Sequence, residues 1–231
     1  MEKIECFKWH YAKENEHRKY KLKTSKKMIR DICKLLKERL QFQGDLPFID
    51  VYAGLAQTVS YKEQDENGNP VTKKMPVSYD TNIEDCGFSP EKAVVPDSSK
   101  KGIIYFEENG GATQYKRLAG NFTMWKAQIV LICWLNRDKI TGDAYSEIAT
   151  KAFSDISLKL KNDSITSPFT KVIVDNTRFR QDANLFTKYS YETEVLQFLR
   201  PPYEFFAIDL SVNFTLKGNC LPSINLTPNN C

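Results

Sequence analysis

The N-terminal segment holds the side chains that are best suited to metal or nucleophilic chemistry. Cys6, His10 and His17 lie there, and the chain has no other histidine. A Cys–His pair can form a nucleophilic site, and the same residue types ligate zinc. Their spacing matches no common zinc pattern, and no fourth ligand is near in the sequence. We therefore expect neither a metal site nor a catalytic cysteine.

Adjacent carboxylates are the second feature that could support catalysis. They occur at Asp65-Glu66, Glu84-Asp85 and Glu107-Glu108. Such pairs can hold Mg²⁺ in a nuclease, but each pair lies in or beside a predicted turn, where solvated charge is the simpler explanation. Gly110-Gly111 lacks both glycine patterns that bind phosphate. The sequence thus favours a protein without enzymatic activity or cofactor over a metal-dependent nuclease.

Residues 1–24 form a basic arm in which aromatic side chains are interleaved. Residues 1–43 carry thirteen Lys/Arg against six Asp/Glu, a charge of +7; because the whole chain is +4, the remainder carries −3. Lys and Arg neutralise phosphates and aromatic rings stack on bases, but the same surface suits an acidic protein. The candidate contact residues, to protein or to nucleic acid, are Lys3, Lys8, Trp9, Arg18, Lys19, Lys21, Lys23, Lys26 and Lys27.

Two helices are predicted from apolar side chains that recur every three or four residues. The first covers about residues 26–42, with Ser25 as its N-cap and Gly44 at its end. The second covers about residues 143–161. Their apolar stripes indicate that each helix packs one side against a sheet.

Alternating and continuous apolar runs predict the strands of that sheet. Apolar residues occupy every second position from 206 to 216, as in a strand with one buried face, and the apolar run ending at 135 predicts a central strand. Asn67-Gly68 predicts a hairpin between strands at 55–62 and 71–79, and residues 109–111 predict another between 102–107 and 113–118. Further strands are expected at 48–52 and 171–175, whereas 186–199 is either strand or irregular.

This order predicts an α+β fold, a mostly antiparallel twisted sheet with two main helices packed on one face and long hairpins. We expect three regions, namely the basic arm at 1–24, a single α+β domain at 25–217 and an irregular tail at 218–231. The sequence has no apolar run of transmembrane length, no signal peptide pattern and no closely spaced cysteine pair. We therefore expect reduced thiols, no membrane contact and production in a cytoplasm.

The order of elements resembles that of the tail-terminator and neck-ring proteins of tailed bacteriophages, which complete the connection between head and tail. The resemblance covers residues 26–217: helix 26–42, the strand Phe48-Ile-Asp-Val-Tyr52, hairpins, a long strand at 122–135, helix 143–161, and a closing apolar-aromatic turn and alternating strand at 200–214. The abundance of Asn, Lys, Tyr and Phe is similar to that in the proteins of a crAss-like phage. The basic arm and the long loop at 80–101 depart from the pattern.

The resemblance implies a non-enzymatic virion protein, assembled in the host cytoplasm. Such proteins form closed six- or twelve-fold rings of identical subunits in the neck or tail, between portal, neck and tail proteins, and DNA passes through without specific binding. The resemblance carries no residue-level functional motif. The alternative from the residues themselves is a nucleic-acid-binding accessory protein that uses the basic arm.

Overall fold

The fold is an α+β arrangement built on a seven-stranded sheet. The computed structural model describes residues 28–41, 46–64, 67–78, 93–118, 122–140, 147–161, 165–167, 170–182, 184–191 and 193–217. The strands are β1 (Val51–Gln64), β2 (Pro70–Ser78), β3 (Gly102–Arg117), β4 (Phe122–Asn136), β5 (Ile165–Ser167), β6 (Thr170–Arg180) and β7 (Tyr203–Lys217). The helices are α1 (28–41), α2 (Ile148–Lys161) and the short α3 (Thr193–Leu196), with 3₁₀ turns at Arg137–Lys139 and Gln197–Leu199.

The sheet is mixed but mostly antiparallel. Its strand order is β2-β1-β3-β4-β7-β6-β5. Only β1 and β3 are parallel, and the other neighbouring pairs are antiparallel. The prediction of an α+β fold with a mostly antiparallel sheet is therefore confirmed. The apolar strand expected to be central is β4, the fourth of the seven strands.

One core lies on one face of the sheet, here called the inner face. Every second residue of β4 from Ala127 to Leu135 points into it, and so does every second residue of β7 from Phe206 to Leu216. The apolar stripes of α1 and α2 meet these side chains in the same cluster. The period of two in the strands and the period of 3.6 in the helices produce matching apolar surfaces.

A second, smaller core lies on the opposite, outer face. The other alternation of β4 supplies Val130, Ile132 and Trp134. Residues 184–191 and 193–199 cover them with aromatic side chains, and residues 93–95 pack beside them. Burial on both faces explains why the second half of β4 is continuously apolar.

The structure contradicts two of the predicted local features. Residues 109–111 do not form a hairpin, because β3 runs without interruption from Gly102 to Arg117 and pairs with β4 on both sides of this point. Gly110 and Gly111 have positive φ and lie in a bulge between the pairs Glu108↔Ile129 and Ala112↔Ala127. Glycine at positive φ serves a bulge as well as a turn. The strand expected at 48–52 begins only at Val51, because residues 47–48 form a turn.

The path of β1 determines which strand edges are free for contacts. From Val51 to Leu55 it runs parallel to β3, and from Ala56 to Gln64 it pairs with β2. The change follows a register shift between Tyr52 and Leu55. Beyond Leu55 the β1–β2 hairpin and the far half of β3 therefore separate into two arms.

Candidate functional site

The residues predicted to make contacts through the basic arm lie outside the part of the chain that the structure describes. This applies to Lys3, Lys8, Trp9, Arg18, Lys19, Lys21, Lys23, Lys26 and Lys27, and also to Cys6, His10 and His17. The acidic pairs at 65–66 and 84–85 and the tail at 218–231 lie outside it as well. Contact through the arm therefore stays a prediction, as do the domain boundaries.

Of the three acidic pairs, the one at Glu107-Glu108 falls within the described residues. Tyr189 and Lys188 each donate a hydrogen bond to one oxygen of the half-buried Glu107 carboxylate. Lys188 also lies 5.1 Å from the centre of the Tyr189 ring. Both donors lie in residues 184–191, so their hydrogen bonds to Glu107 of β3 join this segment to the sheet.

Three buried tyrosines surround this carboxylate and are here called the tyrosine cluster (Tyr105, Tyr189 and Tyr191). Burial raises the pKa of all three phenols well above the ordinary value, and the Glu107 charge raises it further. Both effects favour the protonated, uncharged form of these phenols. The hydroxyl of Tyr191 is buried without a hydrogen-bond partner in the described part.

Two further sets of contacts hold residues 184–191 and 193–199 on the outer face. Trp134 is 1% exposed; its indole nitrogen donates to the Phe198 carbonyl at 2.7 Å and its ring stacks on Tyr203. Ser190 bonds the outer edge of β2, since its backbone N–H donates to the Lys74 carbonyl and its hydroxyl accepts from the Lys74 N–H. These contacts join the segment that covers the outer face to β2 and β4.

No arrangement for metal chemistry appears among the residues that the structure describes. Within those ranges no three His, Cys, Asp or Glu side chains are placed to hold an ion. Cys33 and Cys133 are buried thiols outside any disulfide, and burial raises the pKa of the Cys133 thiol well above its ordinary value. The described helices also include none with the length and apolar character that a membrane crossing requires.

The surface of the two strand arms is the best candidate for function. In the β1–β2 arm, Val71 is an exposed apolar residue, 40% accessible. In the β3–β4 arm, the exposed large apolar and aromatic residues are Tyr115, Leu118 and Phe122. A groove of about 700 Å³ runs along this arm, lined by residues 112–117 of β3 and by Trp125 of β4. Its lining contains Lys116 and Arg117 but no acidic residue.

The sequence interpretation missed this groove. The short run Tyr115-Lys116-Arg117 combines aromatic and basic residues and could have marked it, but Trp125 is ten residues away from Tyr115. Only the pairing of β3 with β4, in which Gln114 lies opposite Trp125, brings these side chains together. Comparison with family models and with curated proteins finds no match for this chain.

Proposed function

We propose that this protein is a non-enzymatic structural protein of a phage virion. In this proposal it forms a closed ring in the neck or tail around the DNA channel and joins the portal and capsid side to the tail. Its partners are further copies of itself and the adjacent portal, neck or tail proteins. The sequence resemblance set out above motivates the assignment.

The observation that best supports the proposal is the β1–β2 arm. Its ladder continues to the pair Gln64↔Pro70, although β1 separates from β3 after Leu55. The outer residues of this arm are exposed and include an apolar side chain, Val71. An arm that reaches beyond its own sheet can contact a different patch on the next subunit, and such head-to-tail contacts close into rings.

The proposal includes the finer arrangement expected from the sequence, with two main helices on one face and long hairpins that reach neighbours. It is supported by the shared inner core of α1 and α2. It is supported also by the hydrogen bond from the Arg39 guanidinium to the Lys159 carbonyl, which joins the two helices. A rigid body of this kind would hold the β1–β2 arm at the same angle in every subunit of the ring.

The test compares the assembly of two variants that each replace an exposed apolar residue by lysine. Val71→Lys alters the arm, whereas Leu158→Lys alters the outer side of α2, where Leu158 is 55% exposed. Mass photometry across protein concentration should show rings for the wild type and for Leu158→Lys, and smaller species for Val71→Lys. Equal assembly of both variants would contradict the role of the arm.

A further inference from the structure

Charge is segregated at one end of the sheet. The pairings Arg117↔Thr123, Thr123↔Leu216 and Thr170↔Leu216 align the ends of four strands in one row. We call this region the basic sheet end and define it as residues 109–117, 122–128, 170–174 and 211–217. It contains five cationic residues and no Asp or Glu, although residues 44–231 carry a net charge of −3. The five are Lys116, Arg117, Lys126, Lys171 and Lys217.

Three cations of the β3–β4 arm, Lys116, Arg117 and Lys126, have no counter-ion among the residues that the structure describes. Lys116 and Arg117 are exposed and line the groove, and Lys126 lies on the neighbouring strand opposite Thr113. Within the described residues none of the three forms an ion pair, whereas Lys73 is paired with Glu63 in the other arm. Adjacent cations repel each other unless an anion lies between them, so a polyanion would complement this surface.

Aromatic rings accompany these cations. Tyr115 is 51% exposed, and Trp125 lines the groove while its ring stacks on Phe214 at 6.5 Å between centroids. An acidic protein surface would match the charge, but it presents no bases on which such rings could stack. Unstacked bases stack on aromatic side chains while their phosphates contact Lys and Arg, which is how single strands are bound without sequence preference.

We propose that the basic sheet end is a binding site for single-stranded nucleic acid, with the strand lying in the groove of the β3–β4 arm. Lys116 and Arg117 contact phosphates, and Tyr115 stacks on a base. The site is separate from the basic arm at 1–24, and it does not depend on ring formation.

The experiment measures binding of a fluorescent oligothymidylate of about 20 nucleotides to the full chain by anisotropy, over a series of salt concentrations. The test variant is Lys116→Ala with Arg117→Ala. The matched control is Lys62→Ala with Lys74→Ala, which removes two exposed cations from the other arm. The wild type and every variant keep the basic arm at 1–24, so nucleic-acid binding through that basic arm contributes equally to all of the measured affinities.

We expect the test variant to bind on the order of tenfold more weakly than the control at low salt. The slope of log affinity against log salt should fall by about 1.4, because each phosphate contact with a single strand contributes about 0.7. Tyr115→Ala should weaken binding on the order of tenfold, whereas Tyr115→Phe keeps the ring and should bind like the wild type. Circular dichroism melting would establish that each variant is folded, and the single variants Lys116→Gln and Arg117→Gln replace the double variant if it is not.

Three results would overturn the proposal. The first is equal affinity and slope for the test and control variants. The second is tighter binding of a duplex of the same length than of the single strand. The third is a change in subunit assembly without a change in oligonucleotide binding, which would make this surface a protein interface. Because mass photometry of the same samples reports ring formation independently, failure of this proposal and failure of the ring proposal are distinguishable.

Discussion

Replacing Trp134 by phenylalanine tests how residues 193–199 are held on the outer face. The indole N–H donates to the Phe198 carbonyl at 2.7 Å in a buried site. Phenylalanine removes this donor, and leaving a buried carbonyl without a partner costs about 1–3 kcal/mol. The smaller ring also buries less apolar surface, which removes roughly 1 kcal/mol. We therefore expect Trp134→Phe to lower the free energy of unfolding by about 2–4 kcal/mol.

Trp125 provides a matched control for that substitution. Its indole nitrogen is buried without a hydrogen-bond partner in the described residues. Trp125→Phe therefore removes a similar ring but no hydrogen bond, and should cost at most about 1 kcal/mol.

Urea unfolding followed by circular dichroism measures both values, with comparison valid if the m-values are equal. Equal destabilisation by the two substitutions would refute the role of the Trp134 hydrogen bond.

Three further outcomes follow from the buried groups. The phenol pKa values of the tyrosine cluster are raised in the folded state, so the contribution of the cluster to stability is complete below pH about 10 and is lost as pH rises further. Tyrosinate absorbance should therefore appear together with unfolding. Tyrosinate that forms before the circular dichroism signal changes would contradict this. Gly102→Ala would place a Cβ 2.3 Å from the Phe48 carbonyl oxygen and should destabilise by about 1–3 kcal/mol or more in the same urea assay, whereas unchanged stability would contradict this packing. Cys133 should react with a thiol reagent only as fast as the protein unfolds, because burial raises its pKa and excludes the reagent; mass spectrometry of labelled protein checks this, and rapid labelling of the native state would refute it.

Periodicity predicted the main elements well because burial on a regular strand or helix imposes it on the sequence. The alternating run at 206–216 lies in β7, and the apolar run ending at 135 lies in β4 with one extra residue. The helix expected at 26–42 is described at 28–41, and that at 143–161 is described from Ile148 to Lys161. The local patterns alone did not show which strands pair with each other or which strands the helices pack against.

The errors arose where a local signal has two structural meanings. The Asn-Gly-Gly sequence at 109–111 suits a hairpin or a bulge, and only the long partner strand β4 selects the bulge. The aromatic residues of 184–199 have no clear period because they cover a sheet face from turns and short helices. The basic sheet end was missed for a similar reason, since its five cations come from four strands that only the register brings together.

Native mass spectrometry across protein concentration tests whether this chain assembles into a closed ring. We expect a discrete species of six or twelve copies, with few intermediates, because a head-to-tail interface is fully satisfied only on closure. The purified chain should be measured alone and together with portal or neck proteins. A strict monomer at every concentration, which also joins none of these partners, would refute ring assembly.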